Sequence, residues 1–136
     1  MKQISIKIKS DTKLIDPVIN VLYSIAEINN YAEDFLWSLE ISLREILANS
    51  IIHGNKRDNS KSVLIKLEWN NNLFTISVKD EGAGFNYKER KPEVLKRGEF
   101  PELSGRGWII VQNKMDFLDF KKLETGFKVT VKKHIN

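Results

Sequence analysis

Three groups of residues in this chain carry side chains that could do chemistry. The first is Glu45, Asn49 and His53, spaced four apart. On an α-helix that spacing puts them on one face, each about 40° further round. A carboxylate there could orient or deprotonate an attacking hydroxyl or water. An amide oxygen is a ligand that Mg2+ accepts, with phosphates and waters completing the shell. The same trio also fits the solvated face of an amphipathic helix. The second group is Asp80-Glu81-Gly82-Ala83-Gly84-Phe85. An aspartate at a strand end can accept a hydrogen bond from an exocyclic amine, and two glycines let a backbone pass close to a ligand. Asp and Gly also dominate ordinary turns. The third is Ser104-Gly105-Arg106-Gly107, running into Trp108-Ile109-Ile110-Val111. A glycine-bracketed loop that feeds a helix N-terminus offers free N–H groups to a phosphate, and Arg106 can add a charged fork. Equally, Ser104 fits a plain N-cap.

The elements that must position these groups follow from hydrophobic periodicity. Ile4, Ile6 and Ile8 alternate with polar residues, which predicts a strand with one buried face. Asp11 or Asp16 could cap a first helix, with Pro17 near its first turn and Val18, Leu22 and Ile25 at helical spacing. That helix fades near Asn29–Asn30. A second runs from about Glu33 to Ile52, with Leu39, Leu43, Ile46 and Leu47 as its core stripe, and Gly54 is a natural left-handed stop. Residues 62–80 read as a hairpin around Asn70-Asn71-Asn72. A long loop with at most one short helix (Lys88–Lys96) follows, then a short buried helix from Trp108, then strands over Met115–Lys122 and Phe127–Lys133. The order β-α-α-β-β-loop-α-β-β predicts an α+β two-layer sandwich. It would have a single, mostly antiparallel mixed sheet with helices on one face.

Composition excludes several classes. The 136 residues fit one domain without repeat or linker, spanning 1–136. At 41% hydrophobic the chain can bury a core, so it is no disordered tail. The absence of cysteine removes disulfides, thiolate catalysis and cysteine-ligated metals, and only His53 and His134 are present for imidazole ligation. The N-terminus lacks the apolar block of a signal peptide, and no segment approaches the roughly 20 apolar residues of a membrane span. A cytoplasmic protein is expected. The net charge of +4 raises nucleic acid as a partner, but Glu81, Glu89, Glu93, Glu99 and Glu102 break up the basic residues. Trp37, Trp69 and Trp108 read as packing residues. Lys121, Lys122, Lys128, Lys132 and Lys133 read as edge and solvent-face lysines that discourage strand pairing.

Taken in order, the motifs are E-x3-N-x3-H-G on a helix, a strand ending D-x-G-x-G-F, and S-G-x-G opening a helix. This order resembles the GHKL ATPase superfamily, with its Bergerat nucleotide fold, over nearly the whole chain. The run Arg44-Glu45-Ile46-Leu47-Ala48-Asn49-Ser50-Ile51-Ile52-His53-Gly54 and the stretch from Ser104 to Asp116 are most similar to the bacterial anti-sigma factor serine/threonine kinases. The resemblance implies ATP and Mg2+ as ligands. It makes Glu45 the catalytic base or orienting carboxylate, Asn49 the Mg2+ ligand and Asp80 the partner of the adenine amine. Gly82, Gly84 and Phe85 would shape the adenine pocket, with His53 near the phosphates or lid. Residues 86–104 would form the ATP lid, and Ser104, Gly105, Arg106 and Gly107 would cradle phosphate. In one place the chain departs from the family. Where the family has Gly-Thr, with the threonine supporting the aspartate, this chain has Gly126-Phe127. Thr125 or a water could supply the missing hydroxyl.

The function this resemblance implies is an ATP-binding regulator. It would phosphorylate a small antagonist protein on serine or threonine and control a sigma factor by nucleotide-dependent binding. A non-catalytic nucleotide-sensing module of the same fold is the alternative. A homodimer through the N-terminal strand and first helix also follows from the likeness. No contact with membrane or nucleic acid is expected.

Overall fold

The computed structural model describes residues 1–83 and 102–135, with 102–107 described as helical backbone. Strand β1 (Lys2–Lys9) leads through a short 3-10 turn (Thr12–Leu14) into α1 (Ile15–Asn29) and α2 (Glu33–Asn49). The hairpin β2 (Ser62–Trp69) and β3 (Leu73–Asp80) follows, then α3 (Glu102–Lys114), β4 (Phe117–Leu123) and β5 (Gly126–His134). The five strands form one sheet in the order β1-β2-β3-β5-β4. All four pairings are antiparallel, so the described sheet contains no parallel pair.

The sheet has one apolar face because apolar residues occupy every second position of its central strands. Val63, Ile65, Leu67, Phe74, Ile76, Val78, Val129 and Val131 are all buried, and they meet Leu22, Leu39, Leu43, Ile46 and Leu47 of the helices. Each such side chain contributes roughly 1.5–3 kcal/mol of burial. The helix layer is tied sideways as well. Arg44 of α2 reaches Asp16 of α1 at 2.8 Å and Glu40 at 3.0 Å, and the Tyr23 hydroxyl of α1 donates to Glu40.

Several boundaries differ from expectation. Asp11 caps the 3-10 turn, its carboxylate accepting from the Lys13 N–H at 2.9 Å, while Asp16 lies inside the first turn of α1. α1 ends where predicted, with Asn30 in the left-handed conformation. α2 ends at Asn49 and passes into a π-helical turn, Ser50–Gly54, closed by the Asn55 N–H donating to the Ser50 carbonyl at 2.8 Å. Gly54 is not the left-handed stop; Lys56 and Arg57 take that conformation, at φ 55° and 59°. Trp69 and Trp108 are buried as expected, but Trp37 is 53% exposed, because it falls on the solvent side of the α2 stripe.

Candidate functional site

The site is built where the end of α2 meets the end of β3. Asp80 is the last residue of β3 and only 3% exposed. Its neighbours explain why glycines surround it. A Cβ on Gly54 would lie 2.3 Å from Asp80 Oδ2, and one on Gly126 would lie 2.1 Å from the Asp80 carbonyl oxygen. A Cβ on Gly82 would lie 2.1 Å from the Gly54 carbonyl oxygen. Two separate pieces of chain, at Gly54 and Gly126, therefore press against one aspartate, while Gly82 packs against Gly54, and each contact leaves no room for a side chain. Gly54 is required by this close approach rather than by its backbone angles.

The carboxylate is held in place by donors. Asp80 Oδ1 accepts from the Gly82 N–H at 2.8 Å, and the Ser50 hydroxyl donates to the same carboxyl. Burial nevertheless pushes the Asp80 pKa above its ordinary value. The Gly82 and Ser50 hydrogen bonds and the charge of Lys122 offset that only in part. Phe127 lies beside Asp80 in the β3–β5 register and is buried, stacking on Phe120 with ring centroids 6.1 Å apart. The core-facing direction expected of Phe127 is what the structure shows. A hydroxyl does reach the Asp80 carboxyl from Ser50, which the π turn carries alongside it.

Glu45 and Asn49 sit on the last two turns of α2, both half-buried. Burial raises the Glu45 pKa, which suits a group that handles a proton. The Nδ2 atom of Asn49 is buried without a hydrogen-bond partner among the described residues, an unsatisfied donor of the kind that calls for an explanation. His53 does not share this position. The shift from α to π winding at Ser50 breaks the four-residue spacing, and His53 is exposed. Among the described residues no three or more His, Cys, Asp or Glu gather as a metal site. An ion there would depend on one amide oxygen with phosphates and waters. That donor set fits Mg2+ on a nucleotide and not a metal held by protein alone.

The third group needs correction. Ser104, Gly105, Arg106 and Gly107 are not a loop before a helix that begins at Trp108. They form the first turns of α3, which starts at Glu102. Two glycines at a cost of about 1 kcal/mol each did not prevent helix formation, because Trp108, Val111 and Met115 anchor it in the core. The unpaired N–H groups of this helix end are those of the N-cap and the three residues after it. With α3 beginning at Glu102, Ser104 is the last residue with a free amide, and the Gly105, Arg106 and Gly107 amides fall where the helix makes its own bonds. The expected lid loses its last three residues to α3. Gly84, Phe85, the rest of the lid and the short helix over Lys88–Lys96 lie outside the described residues.

Sequence reasoning missed Asn55. It is fully buried in the turn after Gly54. Its Nδ2 donates to Ser10 Oγ at 2.8 Å and to the Ser62 carbonyl at 3.0 Å, and its Oδ1 accepts from the Glu81 N–H at 2.7 Å. Ser10 Oγ in turn donates to the Lys61 carbonyl at 2.8 Å. One amide thereby joins the ends of β1, β2 and β3 and fixes the backbone that follows Asp80. The only sequence signal was an Asn directly after the glycine of the helix motif.

This arrangement agrees with what the chain is similar to. Residues 8–133 match the family model of the histidine kinase-like ATPase domain. The anti-sigma F factor of Clostridium perfringens is 31% identical over 121 residues, covering 87% of this chain and 85% of the relative. That of Clostridium beijerinckii is 32% identical over 106 residues, covering 76% and 73%. Among solved structures, the RsbU and RsbW domains of a Mycobacterium tuberculosis protein superpose with a TM-score of 0.72 at 10% identity, over 99% of this chain and 32% of that one. The mycobacterial sensor histidine kinase MprB gives 0.60 at 16% identity, over 98% and 99%. The chain belongs to the histidine kinase-like (GHKL) ATPase family, and within it resembles the anti-sigma factor kinases.

Proposed function

We infer that this chain is an ATP-dependent anti-sigma-factor regulator that phosphorylates a small antagonist protein on serine or threonine. The observation that carries the reading is the buried Asp80 carboxylate, held by glycines against the end of α2. As a buried acceptor at a strand end it supports recognition of an adenine amine, and Asn49 and Glu45 lie on α2, whose end it meets. In this reading Asp80 and Gly82 recognise the base. Asn49 presents its amide oxygen to Mg2+, which neutralises phosphate charge. Glu45 orients the acceptor hydroxyl and takes its proton, a role its raised pKa favours. The free amide at Ser104 receives a phosphate oxygen. The anti-sigma F factor relatives support a sigma factor as the controlled partner. No described helix is long and apolar enough to cross a membrane, and we place the protein in the cytoplasm, where ATP and sigma factors meet.

The test is to recover partners from native lysate with and without Mg-ATP. A sigma factor together with a small antagonist phosphorylated in an ATP-dependent way is the expected result. Recovery of neither would contradict the assignment. A second reading, nucleotide sensing without transfer, is favoured by Phe127 in place of the family threonine. It would be upheld if Glu45→Gln left the chain's regulatory effect intact with no phosphorylation detected in either form.

A further inference from the structure

The strands carry a second surface, opposite the helices. Its register sets Lys7, Leu64, Lys79, Lys128 and Lys121 side by side in one rank across all five strands. Lys79, Lys128 and Lys121 are direct neighbours on β3, β5 and β4, spaced by the roughly 4.8 Å between strands. Lys66 lies on the same face in the adjoining rank and Lys132 in the rank beyond it. Among the described residues none of these lysines is ion-paired to a carboxylate. Like charges directly opposite one another destabilise a sheet. Edge protection accounts for Lys7 and Lys121 on the edge strands β1 and β4 but not for Lys79 and Lys128, because β3 and β5 are interior strands. A row that costs folding stability at interior positions has its reason outside the folded chain.

The form of the face narrows what it meets. At one end of the rank, between Lys7 and Lys79, a cavity of about 340 Å³ is walled by the hydroxyl-bearing Ser60, Ser62 and Thr125 and by the carboxylates of Asp80 and Glu81, so a partner's acidic groups must lie along the lysine row and not inside the cavity. Leu64 within the rank is 43% exposed, and Phe117 near its far end is 46% exposed with Lys132 Nζ 5.0 Å from its ring centre. The middle of the face holds Thr75, Ser77 and Thr130 and no aromatic platform on which bases could stack. Glu68 and Asp119 also stand on it, and they would repel a uniform polyanion. We propose that this helix-free face is a docking surface for an acidic segment of another protein, whose carboxylates align with the Lys79–Lys128–Lys121 row and whose apolar side chains meet Leu64 and Phe117.

The test uses the full chain and a short fluorescein-labelled peptide in which glutamates alternate with leucines, followed by fluorescence anisotropy at low and at physiological salt. Lys79→Glu with Lys128→Glu should weaken binding roughly tenfold or more. Lys2→Glu with Lys13→Glu, the same change of charge away from the face, should leave it within about twofold. Equal loss in both pairs would overturn the proposal, since attraction would then follow net charge alone. Tighter binding of single-stranded RNA at matched charge would overturn it in favour of nucleic acid. Loss of a dimer in the Lys79→Glu, Lys128→Glu protein during sedimentation would show that a second copy covers the face, and would also overturn it. Lys128→Thr provides the control for folding. It should raise the unfolding midpoint while weakening the peptide, and a lower midpoint would show that the lysine is there for structure.

Discussion

Asp80 and Glu45 are both carboxylates whose burial favours the protonated form. The consequence for stability has a definite sign. A folded pKa above the unfolded one contributes stability that is fully present below the unfolded value and is lost as pH rises through the folded value. The free protein should therefore lose stability from acid pH towards neutrality on account of these two groups. Asp80→Asn should flatten that dependence and raise the urea midpoint at neutral pH. The same substitution should weaken adenine nucleotide binding roughly tenfold to a hundredfold, the worth of a hydrogen bond to a charged group. Asn55 should behave in the opposite way. Asn55→Ala leaves the Ser62 carbonyl and the Glu81 N–H without their partner and should cost roughly 2–4 kcal/mol in urea unfolding. The place of Asp80 at a strand end was legible from sequence because the apolar alternation of β3 runs up to it, although Asp and Gly by themselves also fit an ordinary turn. Asn55 was not, since its partners come from three strands that only tertiary folding brings together.

Among the elements, the strands could be read closely and the helix ends could not. Alternating Ile and Val residues define β1, β2, β3 and β5 to within a residue or two. The π turn left no periodic signal, yet it decides which residues reach the site. It carries Ser50 and Gly54 to Asp80 and leaves His53 in solvent. Gly54→Ala tests this element, because the added Cβ would overlap the Asp80 carboxylate. Nucleotide binding should fall at least as far as in Asp80→Asn, measured by titration calorimetry. His53→Ala should change it less than about twofold, as expected of an exposed side chain. The start of α3 was hidden for a different reason. Glycine propensity argues against a helix over 104–107, but propensity is a weak prior when the following turns are buried.

At the scale of the whole molecule, the two faces of one sheet do different work. The apolar face holds the helices, whose ends carry Glu45 and Asn49 of the proposed nucleotide site; the lysine face is the proposed docking surface. The excess of positive charge, which from composition suggested nucleic acid, becomes interpretable only once strand register aligns the lysines. Within the proposed kinase reading, Glu45→Gln should bind nucleotide with affinity within about threefold of wild type, while phosphoryl transfer falls by roughly 10²–10⁴-fold. Comparing calorimetry with phosphate incorporation into a recovered antagonist checks that separation. The account depends first on a base being recognised at the end of β3. The most direct measurement is titration of Mg-ATP into the wild-type chain and into Asp80→Asn, with circular dichroism to confirm that both are folded. The account predicts saturable binding by the wild type and a loss of tenfold or more, by roughly the hydrogen-bond energy above, in the variant. Equal affinity in two folded proteins would contradict it.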